Sequence, residues 1–304
     1  MIFAIIVTYN SELNLLIDQF NSIIDQVGGI VYVENGSENQ SVITECLAQY
    51  SNSFNVHILS NKENMGLGYA QNQGIKEAFK NEADHILLLD HDSVVEPRFV
   101  YNLLEVEQVL LKENIRVGAV APTAYNPDNN KLFPVSVWIL NGLWVKKIVP
   151  CQNQHVFASF IMASGTLVRK EVLDDVGLMD EGLFVDIIDL EWGCRIKSKN
   201  YQLVVTPLAK MMHKIGDSRI SFLGRNMSNH SPIRRYYLSR NCLLSFRYKH
   251  IPVGFSIGGF GRTILRFLVV LLKSTERKKY WTYCLLGFRD GLLGRYGKCT
   301  ISLK

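Results

Sequence analysis

The chain has 304 residues, 47% of them hydrophobic, enough for one large core or for one domain with an appendage. Six cysteines stand singly with no CxxC pair, which argues against a disulfide framework or a zinc knuckle and suits a reducing compartment. The net charge of +5 hides a split: residues 1–200 carry 14 Lys/Arg against 25 Asp/Glu, whereas residues 201–304 carry 19 against 3.

Along the chain, "FAIIVTY" (3–9) is a short continuous apolar run, as expected of a strand covered on both faces rather than a signal peptide, since no basic segment precedes it. "ELNLLIDQFNSIID" (12–25) spaces its apolar residues helically, and "GIVYVENGS" (29–37) reads as a second strand ending in an Asn-Gly turn. A helix near 41–50, the strand "VHILS", the helix "GLGYAQNQGIKEAFKN" and the strand "HILLLD" (85–90) follow. After Pro97 a helix runs to about Asn114, and "VGAVAP" reads as the next strand. This alternation predicts an α/β fold with a mostly parallel sheet. From about 135 the runs shorten: "VSVWIL", "LWVKKIV" and "FASFIMASGTLVRK" read as strands. A helix over about 187–199 and a strand after Tyr201 come next, and beyond 231 the chain turns helical, basic and aromatic.

Ligands of such sheets bind beyond the carboxyl ends of the strands. Polar residues stand at those ends: Thr8, Tyr9 and Asn10, then Glu34 and Asn35, then Asp90, His91 and Asp92. A carboxylate pair at a strand exit can aim oxygen ligands at one divalent cation. Taken alone, Asp92 or Ser93 would equally serve as a helix N-cap; the shared rim favours the metal. In "LFVDIIDLEWGCRI", Asp189 falls in the first turn of the helix, where the dipole favours an ionised carboxylate able to accept a proton, and Asp186 is the expected N-cap. His213 ends a predicted strand, a position that also suits an ordinary packed histidine. "NKENMGLGYAQNQG" places Asn64, Gly66, Gly68 and Asn72 before and within a helix, where glycine permits close backbone approach to a ligand, without matching a P-loop or a GxGxxG pattern.

Near the C-terminus the charge-free run "FLVVLL" is much shorter than the ~20 apolar residues a membrane span needs, and Arg262, Arg266 and Lys273 interrupt the longer one. The expectation is a helix lying in the interface, its cations toward anionic headgroups and Tyr280, Trp281 and Phe288 anchoring. A helix packed on the body of the protein is the competing reading.

The ordered set "IVTYN", "VENGS", "NMGLGYAQNQGI", "LLLDHDS", "SGTLV", "LFVDIIDLEWGCRI", "HKIGD" and "RRYYLSRN" resembles the inverting family-two glycosyltransferases of GT-A fold, especially the bacterial rhamnosyltransferase branch. The likeness covers roughly residues 1–250. It implies a catalytic domain over 1–230, with a nucleotide-binding half (1–120) and an acceptor half (121–230), and a helical, basic, membrane-associating region over 231–304. It further implies a nucleotide-diphospho-sugar donor, dTDP-L-rhamnose in that branch, and a lipid-linked saccharide acceptor. Mg²⁺ or Mn²⁺ is then held by Asp90, Asp92 and His213, and Asp189, six residues before Arg195, is the general base. Thr8, Tyr9, Asn10, Glu34, Asn64, Gly66, Asn72 and His91 would line the donor, and Ser164, Gly165, Glu191 and Trp192 the acceptor or sugar. Two positions depart from the pattern: Glu34 stands where the family has Asp against the nucleobase, and Ile188 stands where an acid usually precedes the base.

The expected setting is O-antigen or capsule synthesis at the cytoplasmic face of a bacterial inner membrane, with the enzyme attached peripherally. A galactofuranosyl or hexosyl donor is the nearest alternative. A nucleotidyltransferase would want a glycine-rich basic loop that "VTYNSELN" lacks, and nucleic-acid binding would explain the basic third but not the acidic rim.

Overall fold

The computed structural model describes residues 1–51, 54–151, 154–213, 219–222, 225–228, 230–274 and 276–301. The alternating first half folds as β1 (Ile2–Thr8), α1 (Leu13–Ile23), β2 (Gly29–Glu34), α2 (Gln40–Ser51), β3 (Val56–Ser60), α3 (Leu67–Lys80) and β4 (His85–Asp90). Then come the short β5 (Val94–Val95), α4 (Phe99–Lys112) and β6 (Val117–Asn126). The second half holds β7 (Lys131–Leu132), the hairpin β8 (Val135–Ile139) and β9 (Trp144–Ile148), β10 (Val156–Ala158), β11 (Thr166–Arg169), α5 (Lys170–Val176), α6 (Ile188–Ser198) and β12 (Gln202–Met212). A two-stranded ribbon, β13 (Arg219–Phe222) and β14 (Arg225–Ser228), precedes α7 (Pro232–Leu244), α8 (Val253–Lys273) and α9 (Arg277–Leu292).

The main sheet runs in the order β10-β12-β6-β11-β4-β1-β2-β3, with β5 and β7 on β12 and β6. β1 pairs in parallel with both β2 and β4, and β12 in parallel with β6, while β11 lies antiparallel between β4 and β6. The continuous apolar runs are explained by cover on both faces: along β1, Phe3 and Ile5 join one core cluster and Ala4 and Ile6 the other.

This order places the site. β1 and β4 are adjacent and parallel, so Thr8 and Asp90 leave the sheet at one rim. β11 runs the other way, so its start, at Ser164–Gly165, meets the end of β4, and the Gly165 amide donates to the Leu88 carbonyl at 2.7 Å. The end of β12 pairs with β5 just past the Asp-x-Asp turn, which brings His213 to the same edge.

Candidate active site

The acids at the strand exits converge. One ligand atom each from Asp90, Asp92 and His213 lie within 4.8 Å of one another. Ser93 Oγ stands 3.4 Å from His213 Nδ1 and 2.9 Å from Ser164 Oγ, which in turn accepts the Asp90 amide at 2.9 Å. One residue away, the Ala163 amide donates to Asp189 Oδ2 at 3.1 Å. Two consecutive residues, Ala163 and Ser164, therefore tie the carboxylate of α6 to the end of β4. Residues 99 positions apart in the chain share one rim.

The electrostatics agree with the geometry. Burial pushes the Asp90 carboxyl up to about 7, with the charges of Asp92 and Asp189 adding to the rise. A crowd of acids of this kind is relieved by a cation, and two carboxylates with an imidazole suit Mg²⁺ or Mn²⁺, so the residues present fit the ion. Asp189 is also raised, again chiefly by burial, against the lowering effect of the Ala163 and Asp189 backbone amides. Burial thus opposes the stabilisation expected of a carboxylate at a helix start, and the Asp189 carboxyl stands above the ordinary aspartate value.

The loop before α6 is strained. Phe184, Asp186 and Ile187 all take positive φ (66°, 61° and 53°), a conformation side chains rarely adopt. Ile187, not Asp186, occupies the cap position, and Asp186 instead pairs with Arg234 at 3.0 Å. What holds the loop is α7. The Asn241 amide donates to the carbonyls of Leu183 (3.0 Å), Val185 (2.8 Å) and Asp186 (3.3 Å). Arg240, fully buried, donates to the carbonyls of Leu183 (2.8 Å), Gly182 (3.3 Å) and Gly297. The "RRYYLSRN" segment is therefore a clamp that fixes the approach of Asp189, a role its sequence did not disclose; the only signal was a run of cations and one Asn within an otherwise buried helix.

Several residues expected at the ligand are placed elsewhere. Glu34 is fully buried and folds back to accept the amides of Gly36 (3.1 Å) and Ser37 (2.8 Å), so its carboxylate closes its own turn. Asn72 lies under the chain at 179–181, accepting the Met179 amide at 2.9 Å and donating to the Met179 carbonyl at 2.9 Å and to Glu181 at 2.8 Å. Gly66 takes φ 94°, and a Cβ there would meet the Phe184 backbone and ring at 2.8 Å. Its close approach serves the Phe184 loop, whose carbonyl accepts the Leu67 amide at 2.7 Å. Gly165 is buried with φ 82°, and a Cβ would strike Pro122 at 2.5 Å. Trp192 is fully buried in the core and offers no sugar a stacking face. Glu191, 2% exposed, is held by Arg195 (2.9 and 2.8 Å) and His250 (2.8 Å), so it does not reach an acceptor.

Others remain at the rim. Tyr9 is exposed, and Asn10 (φ 50°) accepts the Glu38 amide and donates its own amide to Ser37. Thr8 is buried with its hydroxyl unpartnered among the described residues, and Asn64 accepts the Gly66 amide at 2.9 Å. His91 and Asp92 are half-buried. The residues of "HKIGD" after His213 lie outside the described residues. Beside Ser164 opens a cleft of about 230 Å³, lined by Phe133, Ser136, Lys147, Phe160 and Met162 among others.

Comparison with known proteins identifies the family and the fold. The model of the "Glycosyl transferase family 2" matches residues 3–177. The chain is 32% identical over 297 residues to the dTDP-rhamnosyl transferase RfbF of Shigella flexneri, covering 97% of each. Among solved structures it superposes on a mannosyltransferase from Pyrobaculum calidifontis in complex with GDP-Man and Mn²⁺ (TM-score 0.55, 12% identity, 96% of this chain and 87% of that one). It also superposes on S. aureus TarS 1-349 in complex with UDP-GlcNAc (TM-score 0.53, 14% identity, 93% and 79%). For GalNAc-T7 with UDP, GalNAc and Mn²⁺ (TM-score 0.58, 14% identity) the match covers 91% of this chain but spans only 58% of that one. A GT-A sheet whose rim carries the Asp-x-Asp pair, together with a sequence match that runs through both halves, establishes that the chain belongs to glycosyl transferase family 2.

Proposed function

We propose that the protein transfers L-rhamnose from dTDP-L-rhamnose to a lipid-linked saccharide, inverting the anomeric carbon, in the assembly of O-antigen, capsule or another cell-surface polysaccharide. The donor is suggested by the Shigella flexneri relative, a dTDP-rhamnosyl transferase. The observation that carries the mechanism is the Ala163–Ser164 bridge, which sets a proton acceptor beside a carboxylate pair.

Asp189 takes the proton of the acceptor hydroxyl as that oxygen attacks. Its burial moves its pKa toward the working pH, where a general base is most effective. Asp90, Asp92 and His213 would hold a divalent cation, Mg²⁺ or Mn²⁺, which when bound offsets charge on the leaving diphosphate. Ser164 fixes the end of β4, and Asn241 and Arg240 fix the loop that carries Asp189, so the two sides of the reaction keep their spacing. The acceptor enters through the cleft beside Ser164.

The setting proposed is the cytoplasmic face of a bacterial inner membrane, with the protein attached peripherally. α8 is long and apolar enough to cross a membrane by length and composition, with a mean hydropathy of 1.6 over Val253–Leu272. Only 22% of that stretch is buried, and the contact with the body is made through Phe267, Val269 and Val270, so one side of the helix packs on the protein while the rest is free to meet lipid.

A panel of nucleotide-sugars with Mn²⁺ or Mg²⁺ tests the donor by thermal unfolding. A ligand at 100 times its Kd stabilises the fold by about 2.7 kcal/mol. dTDP-L-rhamnose is expected to give the largest metal-dependent rise. A larger rise with another donor overturns rhamnose, and no rise with any donor overturns the transferase reading.

A further inference from the structure

The tip of the β8–β9 hairpin has no place in the chemistry above, yet it is built at a cost. Leu140, Asn141 and Gly142 take positive φ in succession (50°, 54° and 84°). For Leu140 this is a strained conformation, and the strain presents its side chain to solvent, 72% exposed. Leu143 (62%) and Trp144 (67%) stand exposed beside it. Two leucines and a tryptophan held outward on one tight turn form an apolar knob.

The knob is seated on α8. A Cβ on Gly142 would meet the Phe255 backbone at 2.8 Å, and one on Gly254 would meet the Asn141 carbonyl at 2.5 Å and Leu143 at 2.7 Å. Glycine on both sides lets the two backbones touch, so the knob continues directly into the first turn of α8. From there Val253, Ile257, Phe260, Leu265, Leu268 and Leu272 are exposed at helical spacing along one stripe. α8 is thus apolar on two sides: one packs inward, and the other extends the hairpin tip across the molecule.

The charges carried by these two elements have one sign. Neither the hairpin (135–148) nor α8 contains an acidic residue, whereas Lys146, Lys147, Arg262 and Arg266 lie within them. Burial and then the neighbouring Arg262 hold the Lys147 ammonium below its ordinary value, and burial and then Arg266 do the same to Arg262. The cations therefore stand near one another. An apolar stripe with Lys146, Lys147 and Arg262 near it, on two elements that carry no acid, complements a layer with an anionic surface and an apolar interior, which is a bilayer of acidic lipids.

We propose that the hairpin tip and the outer stripe of α8 form one docking face for an anionic bilayer, with Leu140, Leu143 and Trp144 entering the headgroup–acyl boundary. This rests on the membrane-associated reading above and adds a second anchor, from the acceptor half of the catalytic fold. Its consequence is orientation. Ser136 and Lys147, at the base of the same hairpin, line the cleft beside Ser164. Lys147 is three residues from Trp144, about 10 Å along an extended strand. A bilayer touching the tip would therefore hold the cleft mouth within reach of a saccharide carried on a lipid.

Flotation with vesicles of phosphatidylglycerol and phosphatidylcholine, against phosphatidylcholine alone, tests this on the full chain. Three proteins are compared: wild type, a hairpin variant (Leu140→Ser, Leu143→Ser, Trp144→Ser) and an α8 variant (Leu265→Ser, Leu268→Ser). Donor-induced thermal stabilisation serves as the control for folding. Wild type is expected to float with the anionic vesicles only. The hairpin variant should bind them about tenfold more weakly or worse, with donor stabilisation unchanged. In addition, brominated acyl chains should quench wild-type tryptophan emission, and Trp144→Phe, which keeps an apolar ring, should lose a substantial part of that quenching. If the hairpin variant floats like wild type while the α8 variant does not, the second anchor is refuted and the membrane reading survives. If wild type binds no vesicles, both fall. If instead the hairpin variant converts a dimer to a monomer without altering flotation, the face pairs two copies of the chain and the bilayer proposal is overturned.

Discussion

Glu191 distinguishes a structural acid from one that serves the substrate. Its carboxylate is 2% exposed and meets Arg195 through both oxygens, at 2.9 and 2.8 Å, with His250 at 2.8 Å on one of them. Arg195 also donates to the carbonyls of Val176 (3.1 Å) and Leu178 (2.8 Å), so the trio fastens α6 to the end of α5. Glu191→Ala removes the acceptor and leaves a guanidinium without its counter-charge, a change that costs about 3–5 kcal/mol for a buried pair. Arg195 is 22% exposed and keeps two carbonyls, so the lower end, about 3 kcal/mol, is expected here. For a chain this long that lowers Tm by about 5 °C.

Burial opposes ionisation of Glu191, but the hydrogen bonds from His250 and Arg195 outweigh it and hold its carboxyl below the ordinary glutamate value. A carboxyl lowered on folding contributes stability above its unfolded pKa and loses it as pH falls through the folded one. The gap in Tm between wild type and Glu191→Ala should therefore be full at pH 7 and shrink below about pH 4. Calorimetry over that range, paired with acceptor KM at 25 °C, is the assay. A variant with unchanged Tm and a raised acceptor KM would refute the structural assignment and return Glu191 to the substrate.

Further outcomes follow from other contacts. Trp192→Ala empties a fully buried site and should cost about 3–5 kcal/mol, measured by denaturant unfolding, with no selective effect on acceptor KM. Asn241→Ala removes the donor to three loop carbonyls. It should lower kcat about tenfold or more with donor affinity retained; equal loss of both would mean a global effect instead. Because burial raises Asp189, the acid limb of kcat/KM should lie above the ordinary aspartate range, and the rate should fall as pH drops through that raised value. A limb near pH 4 would contradict this.

The sheet was legible because its strands are covered on both faces and so read as unbroken apolar runs. Their exits could be located, and with them Asp90, Asp92 and, by the same logic, His213. What the sequence hid was the direction in which each polar side chain turns. Asn72 and Asn64 look alike in "NMGLGYAQNQG", yet one bonds the distant backbone at Met179 while the other accepts the amide of Gly66, two residues on. Glu34 was expected at a nucleobase through the family resemblance; its carboxylate is spent on the amides of its own turn instead. Trp192 follows Glu191 in a helix that is buried nearly all round, so no polar–apolar periodicity separates a ligand-facing side from a core side. The strain at Phe184, Asp186 and Ile187 left no glycine to mark it, and the clamp from α7 that maintains it comes from residues more than fifty positions away. The inward face of α8 was likewise invisible, since its buried and exposed residues share one composition.

The most direct measurement pairs Mn²⁺-dependent dTDP-L-rhamnose binding with turnover, in wild type, Asp189→Asn and Asp92→Asn. With Asp189 as base, Asp189→Asn should bind donor within about twofold of wild type while kcat falls by roughly 10²–10⁴. Asp92→Asn should lose the metal-dependent part of binding. Near-normal turnover by Asp189→Asn, or undiminished metal-dependent binding by Asp92→Asn, would contradict the gathering of these acids about one ion and one reacting carbon.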